Sequence, residues 1–219
     1  MRFKSIVFFL LANCIVFVGK AQYYKDKEVL AGASVGYQYP MGDFGDQAKG
    51  GPVFRLTGQM MLNKKLGVGA EIAYSLLGQN DFWNGSHLGK YDVNYDIASV
   101  QVKGSYYFDS WDREFRPYAS LAFGYFHYQN SIKFISTSGG SINQKRTVKE
   151  NKVGLTPIVG FLYHLSSTWS FDMNLRYTYI PDFPESVSAT DEYGETYPYY
   201  LGFKNITLPE LSIGLFYRF

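Results

Sequence analysis

Seven charged residues carry the chemistry that the strand segments of this chain could do: Arg55, Glu71, Lys103, Asp172, Arg176, Glu210 and Arg218. Each lies where apolar residues alternate with small or polar ones, and each falls on the polar side of that alternation. Four cations and three carboxylates facing a common interior pair as salt bridges, and their desolvation has to be offset by good geometry. Heights counted along the segments put Glu71 near Lys103 and Arg55, Arg176 near Glu210, and Asp172 near Arg218. Gln59, Gln101 and Asn174 fill the gaps between them. Such a network plugs the interior; the competing reading is a set of solvated charges that the interior merely tolerates.

Catalytic chemistry is harder to build. Ser86 and His87, with Asp81 and Asp92 close in sequence, imitate the serine, histidine and acid of an acyl hydrolase, but no strained nucleophile motif accompanies them. No catalytic residue is assigned. His127 and His164 are read as structural, since neither has a second ligand at metal spacing, and the acidic residues of the loops lack calcium-loop spacing. No metal site and no cofactor is expected.

Positioning the seven charges requires strands. Residues 206–219 place Leu211, Ile213, Leu215, Tyr217 and Phe219 on one face and Glu210, Ser212, Gly214, Phe216 and Arg218 on the other. The period is two, the mark of a strand with two different faces. The same alternation recurs over 29–39, 54–62, 66–76, 98–108, 120–125, 153–165 and 169–179, with Pro157 marking a bulge in the sixth of these eight segments. The connections 40–51, 78–94, 131–151 and 181–205 are long or polar, whereas the three between them are short. Long and short connections alternate in an up-and-down barrel that crosses a membrane with both termini on the periplasmic side. The expected fold is therefore all-β, an eight-stranded antiparallel up-and-down transmembrane β-barrel.

Charge placement sets its sidedness. The apolar faces carry no lysine, arginine, aspartate or glutamate between the strand ends. A lysine or arginine turned to mid-bilayer costs about 2–4 kcal/mol, and a slip of one residue turns every side chain over. The apolar faces also end in aromatics: Trp169, Tyr217, Phe219, Tyr106 and Phe108 at one level, and Tyr37, Tyr39, Tyr74, Tyr125, Tyr177 and Tyr179 at the other. Two girdles of this kind match the two membrane interfaces.

The chain opens with Arg2 and Lys4, an apolar run over 6–18, and small residues at Gly19 and Ala21. That is a secretory signal peptide over residues 1–21, too short in its apolar run to span a bilayer, with a mature chain of 22–219 as one domain. A lipidation site at Cys14 is the alternative, opposed by Asn13 before it and by apolar residues after it. Cys14 is the only cysteine, so the mature chain forms no disulfide. Without Arg2, Lys4 and Lys20 the remainder is nearly neutral, and nothing points to nucleic acid. The abundance of tyrosine, phenylalanine and glycine, at 20, 18 and 22 residues, suits strands and turns.

Three stretches carry a family resemblance: Gly-Tyr-Gln-Tyr-Pro-Met-Gly-Asp-Phe at 36–44, Arg116-Pro117-Tyr118 with Gly124 following, and the terminal Leu215-Phe216-Tyr217-Arg218-Phe219. With them the chain resembles the small eight-stranded outer-membrane β-barrel proteins, described as porin family or PorT-like. The resemblance implies an outer-membrane location in a Gram-negative bacterium. It also implies that Leu215, Tyr217 and Phe219 form the signal read by the barrel-assembly machinery, and it brings no catalytic motif. Expected partners are outer-membrane lipid, that machinery during biogenesis, and an envelope protein met through the extracellular loops. The loop 181–205 carries Asp182, Glu185, Asp191, Glu192 and Glu195 among four tyrosines, and 131–151 carries Lys133, Lys145, Arg146 and Lys149. Such loops bind each other, a sugar or a protein, or simply form a self-compensating lid. The expected function is a membrane scaffold with a filled lumen that presents its loops. A narrow passive pore is the alternative, and a loop-based lipid hydrolase the third reading.

Overall fold

The computed structural model describes residues 28–80, 89–110, 113–136, 144–191 and 193–219. The 1–21 segment, with Cys14, and the residues Asp81, Ser86, His87 and Glu192 lie outside these.

Eight long strands close into a ring: β1 (Val29–Gln38), β3 (Gly51–Met61), β4 (Leu66–Gln79), β5 (Gly89–Tyr107), β6 (Phe115–Ser136), β7 (Gln144–His164), β8 (Trp169–Ile180) and β11 (Ile206–Arg218). Every neighbouring pair is antiparallel, and β1 pairs with both β3 and β11, which closes the barrel without an open edge. Closure follows from the edge problem: an open sheet would leave a row of unpaired backbone groups facing lipid. The register obeys the charge argument. On the outer wall Val35, Leu56, Ile72, Val102, Phe123, Val159, Leu175 and Ile213 are all exposed, while the residues between them point inward.

Tight turns follow β3 and β7. Asn63 closes the first by accepting hydrogen bonds from the backbone N–H of Lys65 (2.9 Å) and Leu66 (2.8 Å). Ser166 does the same for Thr168 and Trp169 in the second.

At the opposite end the polar connections are more ordered than their composition suggests. Of residues 131–151, read as a loop, 131–136 and 144–151 pair as strand and lengthen β6 and β7 beyond the bilayer-spanning wall, with Ser131 opposite Thr147 and Asn130 opposite Val148. The connection 181–205 folds into β9 (Ser186–Asp191) and β10 (Thr196–Tyr200), and β9 docks on β7. The connection 40–51 forms the short helix α1 (Asp43–Gln47) and β2 (Ala48–Lys49), which pairs with the end of β4. Gly42 starts α1 at φ 67°, a left-handed conformation that glycine adopts without strain. The reason these segments order is burial. Val93, Tyr95 and Ile97 on β5, Tyr128 and Ile132 on β6, and Val148 on β7 continue the inward face upward as apolar side chains.

Inside, the barrel is layered. An aromatic and aliphatic cap fills the end away from the termini, with Phe44 of α1 at its centre, packed edge-on against Tyr95 (5.4 Å between centroids) and Phe203 (5.0 Å). Below it lies the charged belt. A smaller apolar base of Leu30, Met61, Tyr107, Tyr118, Ile158, Leu162 and Phe216 closes the end that carries both termini. Space is tight throughout: a Cβ on Gly32 would sit 2.4 Å from the Leu215 carbonyl oxygen and 2.6 Å from the Phe216 ring.

Candidate functional site

The belt is built by strands that are far apart in sequence. β3 supplies Arg55, β4 Glu71, β5 Lys103, β8 Asp172 and Arg176, and β11 Glu210, all buried and all on the inward half of the period-two pattern. Two forked ion pairs dominate. Arg55 donates to both oxygens of Glu210, at 2.7 and 3.0 Å, and Arg176 donates to both oxygens of Glu71, at 2.5 and 3.0 Å. Planar guanidinium meeting planar carboxylate in this way gives the strongest and most direction-specific pairing available to side chains. Glu71 is the hub, since Arg55 Nε lies 3.5 Å and Lys103 Nζ 3.8 Å from it.

Two of the pairings expected from heights are replaced. Arg176 stands directly opposite Glu210 in the β8–β11 register, yet its side chain crosses the lumen to Glu71 on β4. Asp172 does not meet Arg218. It accepts hydrogen bonds from Tyr118 Oη (2.8 Å) and from Asn174 Nδ2. The first change is a contact across the diameter of a narrow tube, from β8 to β4, and the second one between side chains of β8 and β6, the strand next but one; height along one strand reports neither.

Arg218 instead joins a second charged group in the base. Its Nε lies 3.4 Å from Glu28, the residue before β1, and Glu28 also accepts two hydrogen bonds from Arg116 at 3.0 and 3.2 Å. The Arg116 guanidinium stacks over the Tyr107 ring at 4.3 Å. Arg116 and Glu28 are fully buried and were missing from the seven charges. Arg116 shares the inward parity of Tyr118 and Ser120, which was a usable signal; Glu28 precedes the first alternating residue and offered none.

The gaps between charges are filled by polar side chains. Gln38 donates to Glu210 (3.0 Å), Gln59 to Tyr107 Oη (2.8 Å), Arg176 Nε to Asn174 (2.9 Å), and Thr156 to Gln101 (3.0 Å). A cavity of about 10 Å³, bordered by Lys103, Tyr118, Asp172 and Arg176, lies within the belt. That is about the space one water molecule needs.

The cap closes the opposite end by packing. Phe183 packs edge-on against Tyr128 (5.5 Å) and tilted against Phe203 (5.3 Å), and Gln47 of α1 donates to the Leu201 carbonyl (2.8 Å).

On the rim above it, the basic and acidic connections are brought together, Arg146 of β7 standing opposite Asp191 of β9. Glu185 lies 3.5 Å from Lys204 and accepts from Tyr200 Oη at 3.4 Å, and Tyr193 and Tyr200 are exposed.

His127 pairs with Asn151 (2.7 Å) at the upper wall, and His164 with Ser170 (2.6 Å) near the base. Among the described residues no group of three or more histidine, cysteine or acidic side chains could hold a metal ion.

At the end of the wall, Leu215, Tyr217 and Phe219 face outward and are exposed. Tyr217 packs edge-on against both Trp169 (5.3 Å) and Phe219 (4.8 Å).

A family model described as outer membrane protein beta-barrel domain matches residues 8–219. Among solved structures, the chain resembles a major outer membrane protein from Thermus thermophilus, with 14% identity, a TM-score of 0.60, and 87% of this chain and 99% of that one covered. It also resembles the outer membrane protein OprG from Pseudomonas aeruginosa, with 17% identity, a TM-score of 0.52, and coverage of 89% and 97%. Neisserial surface protein A gives 18% identity, a TM-score of 0.50, and coverage of 88% and 97%. At these identities the likeness concerns the fold. No curated protein matches the chain.

Proposed function

Because the chain belongs to the outer membrane protein β-barrel family, we propose that it serves as a closed, non-enzymatic scaffold in the outer membrane. In this reading both termini face the periplasm, and the β6–β7 and β9–β10 hairpins stand outside the cell to meet a partner from the envelope or the surroundings. A cleaved signal peptide over 1–21 exports it. The exposed Leu215, Tyr217 and Phe219 at the end of the last strand present the assembly signal to the barrel-assembly machinery.

The observation that carries this reading is the double closure of the lumen. An eight-stranded barrel has an interior only just wide enough for side chains. Here the belt fills it with paired charges, and the cap fills it again with aromatic rings. A solute entering from outside would have to displace Phe44, Tyr95, Tyr128 and Phe203, and then separate two forked ion pairs. Among the described residues nothing in that path offers the hydrated, weakly binding surface that conduction needs.

Single-channel recording in planar bilayers tests it, comparing the refolded mature chain with a Glu71→Ala, Lys103→Ala double variant. The expected result is silence from the wild type at all moderate voltages. Steady openings of the wild type would replace the scaffold with a narrow passive pore.

A further inference from the structure

The lipid-facing wall is not uniformly smooth. Between β4, β5 and β6, near the end that carries the termini, it holds a groove of about 480 Å³ bordered by Leu62, Leu66, Val68, Tyr106 and Leu121. The groove exists because Gly104 stands on the outward face between Val68 of β4 and Leu121 of β6, and a Cβ placed on Gly104 would meet nothing within 4 Å. Ala119, next to Tyr106 in the register, keeps the floor low.

The turn at the foot of the groove is charged and rigid. Lys64 and Lys65 are both exposed there. Asn63 holds the turn through its two backbone hydrogen bonds, and the Lys65 carbonyl accepts from Tyr107 N–H (2.7 Å), which pins the turn against β5 beside the groove. The turn after β5 carries Asp109, Arg113 and Glu114 among its described residues, so cationic excess at this end of the groove rests with Lys64 and Lys65.

We infer that this groove and turn form a site for one anionic phospholipid, with an acyl chain lying over Gly104 and the headgroup phosphate at Lys64 and Lys65. The inference rests on the membrane placement proposed above, which puts the turn at the inner-leaflet surface. Lipid tails are as apolar as leucine, so burying an acyl chain against the wall brings no hydrophobic gain over bulk lipid. What holds this lipid is contact: one chain aligned in the groove keeps dispersion partners on both sides, which disordered annular chains crossing a dent do not. What selects it is charge, because lysines at a membrane surface attract anionic headgroups.

The test uses the refolded mature chain in vesicles containing equal amounts of phosphatidylglycerol and phosphatidylethanolamine, extracted into mild detergent, with retained lipid counted by native mass spectrometry. The wild type retains one phosphatidylglycerol. Gly104→Leu, which fills the groove from the lipid side, loses it. Gly58→Leu, another outward glycine with nothing within 4 Å but outside the groove, keeps it and controls for folding. Lys64→Gln and Lys65→Gln still retain a lipid, with the preference for phosphatidylglycerol reduced about fivefold for each lysine removed. Retention equal in wild type and Gly104→Leu, or retained lipid with the composition of the vesicle, overturns the site. Placement is read separately: a Ser167→Cys variant, exposed in the turn after β7 at the same end but outside the groove, labelled by an impermeant maleimide in intact cells would overturn the inner-leaflet assignment without altering the retention measured in detergent.

Discussion

The belt and the cap close the same tube by opposite means. In the belt, charged groups taken out of water are held by direction-specific pairs, Arg55 with Glu210 and Arg176 with Glu71. In the cap, rings from α1, β5, β6 and the segment around β9 and β10 pack edge to face with no ion pair at their centre. The difference lies in what each leaves behind when broken. A belt deprived of one partner keeps an uncompensated charge within the barrel, whereas a cap deprived of one ring keeps an apolar cavity that can partly collapse. The belt therefore ties strands of the spanning wall together, and the cap ties only the outer connections to it.

Breaking the hub of the belt gives the largest expected effect. Glu71→Ala leaves Arg176, Arg55 and Lys103 without their shared carboxylate and is expected to cost about 3–5 kcal/mol, read as the shift in urea unfolding of the barrel in detergent micelles. A variant as stable as wild type would mean that the lumen hydrates these charges, and the contrast with the cap would disappear. Phe44→Ala should cost about 3 kcal/mol locally. It appears as faster proteolysis and hydrogen exchange in the β9–β10 hairpin, with the unfolding midpoint of the spanning wall little changed.

The combined variant Glu71→Ala, Phe44→Ala sharpens the comparison. The two residues share no partner, so their costs should add within about 0.5 kcal/mol. A larger coupling would show that belt and cap form one cooperative unit. The smallest effect is expected at the rim, where Glu185 and Lys204 make an exposed pair. Lys204→Ala should change stability by less than about 1 kcal/mol. A photo-crosslinking residue at the exposed Tyr200 should instead report on partners, and capture of one specific envelope protein there would give the loop-presenting role its ligand.

Much of this architecture was legible in the residues. Period two in eight segments, charge confined to one face, and tight turns such as Asn63-Lys64-Lys65 follow from backbone geometry and from the cost of a charge in lipid, and both act locally. The outer connections were not legible, because their apolar residues are sparse among polar ones. Val93, Ile132 and Val148 lie scattered through those connections, and only the upward continuation of β5, β6 and β7 brings them together over the lumen. Phe44, in a stretch of turn residues, gave no sign of being the centre of a core.

By itself, then, the order of residues determined which side chains face inward, since alternation along a strand needs no knowledge of any other strand. Only the tertiary structure decided which of them touch. Closing the ring sets β4 across from β8, so that Arg176 reaches Glu71, 105 residues away, in preference to its register neighbour Glu210. The physical reason is that direction along a strand is a local property of the backbone, whereas contact across a tube depends on closure and tilt, which belong to all eight strands together.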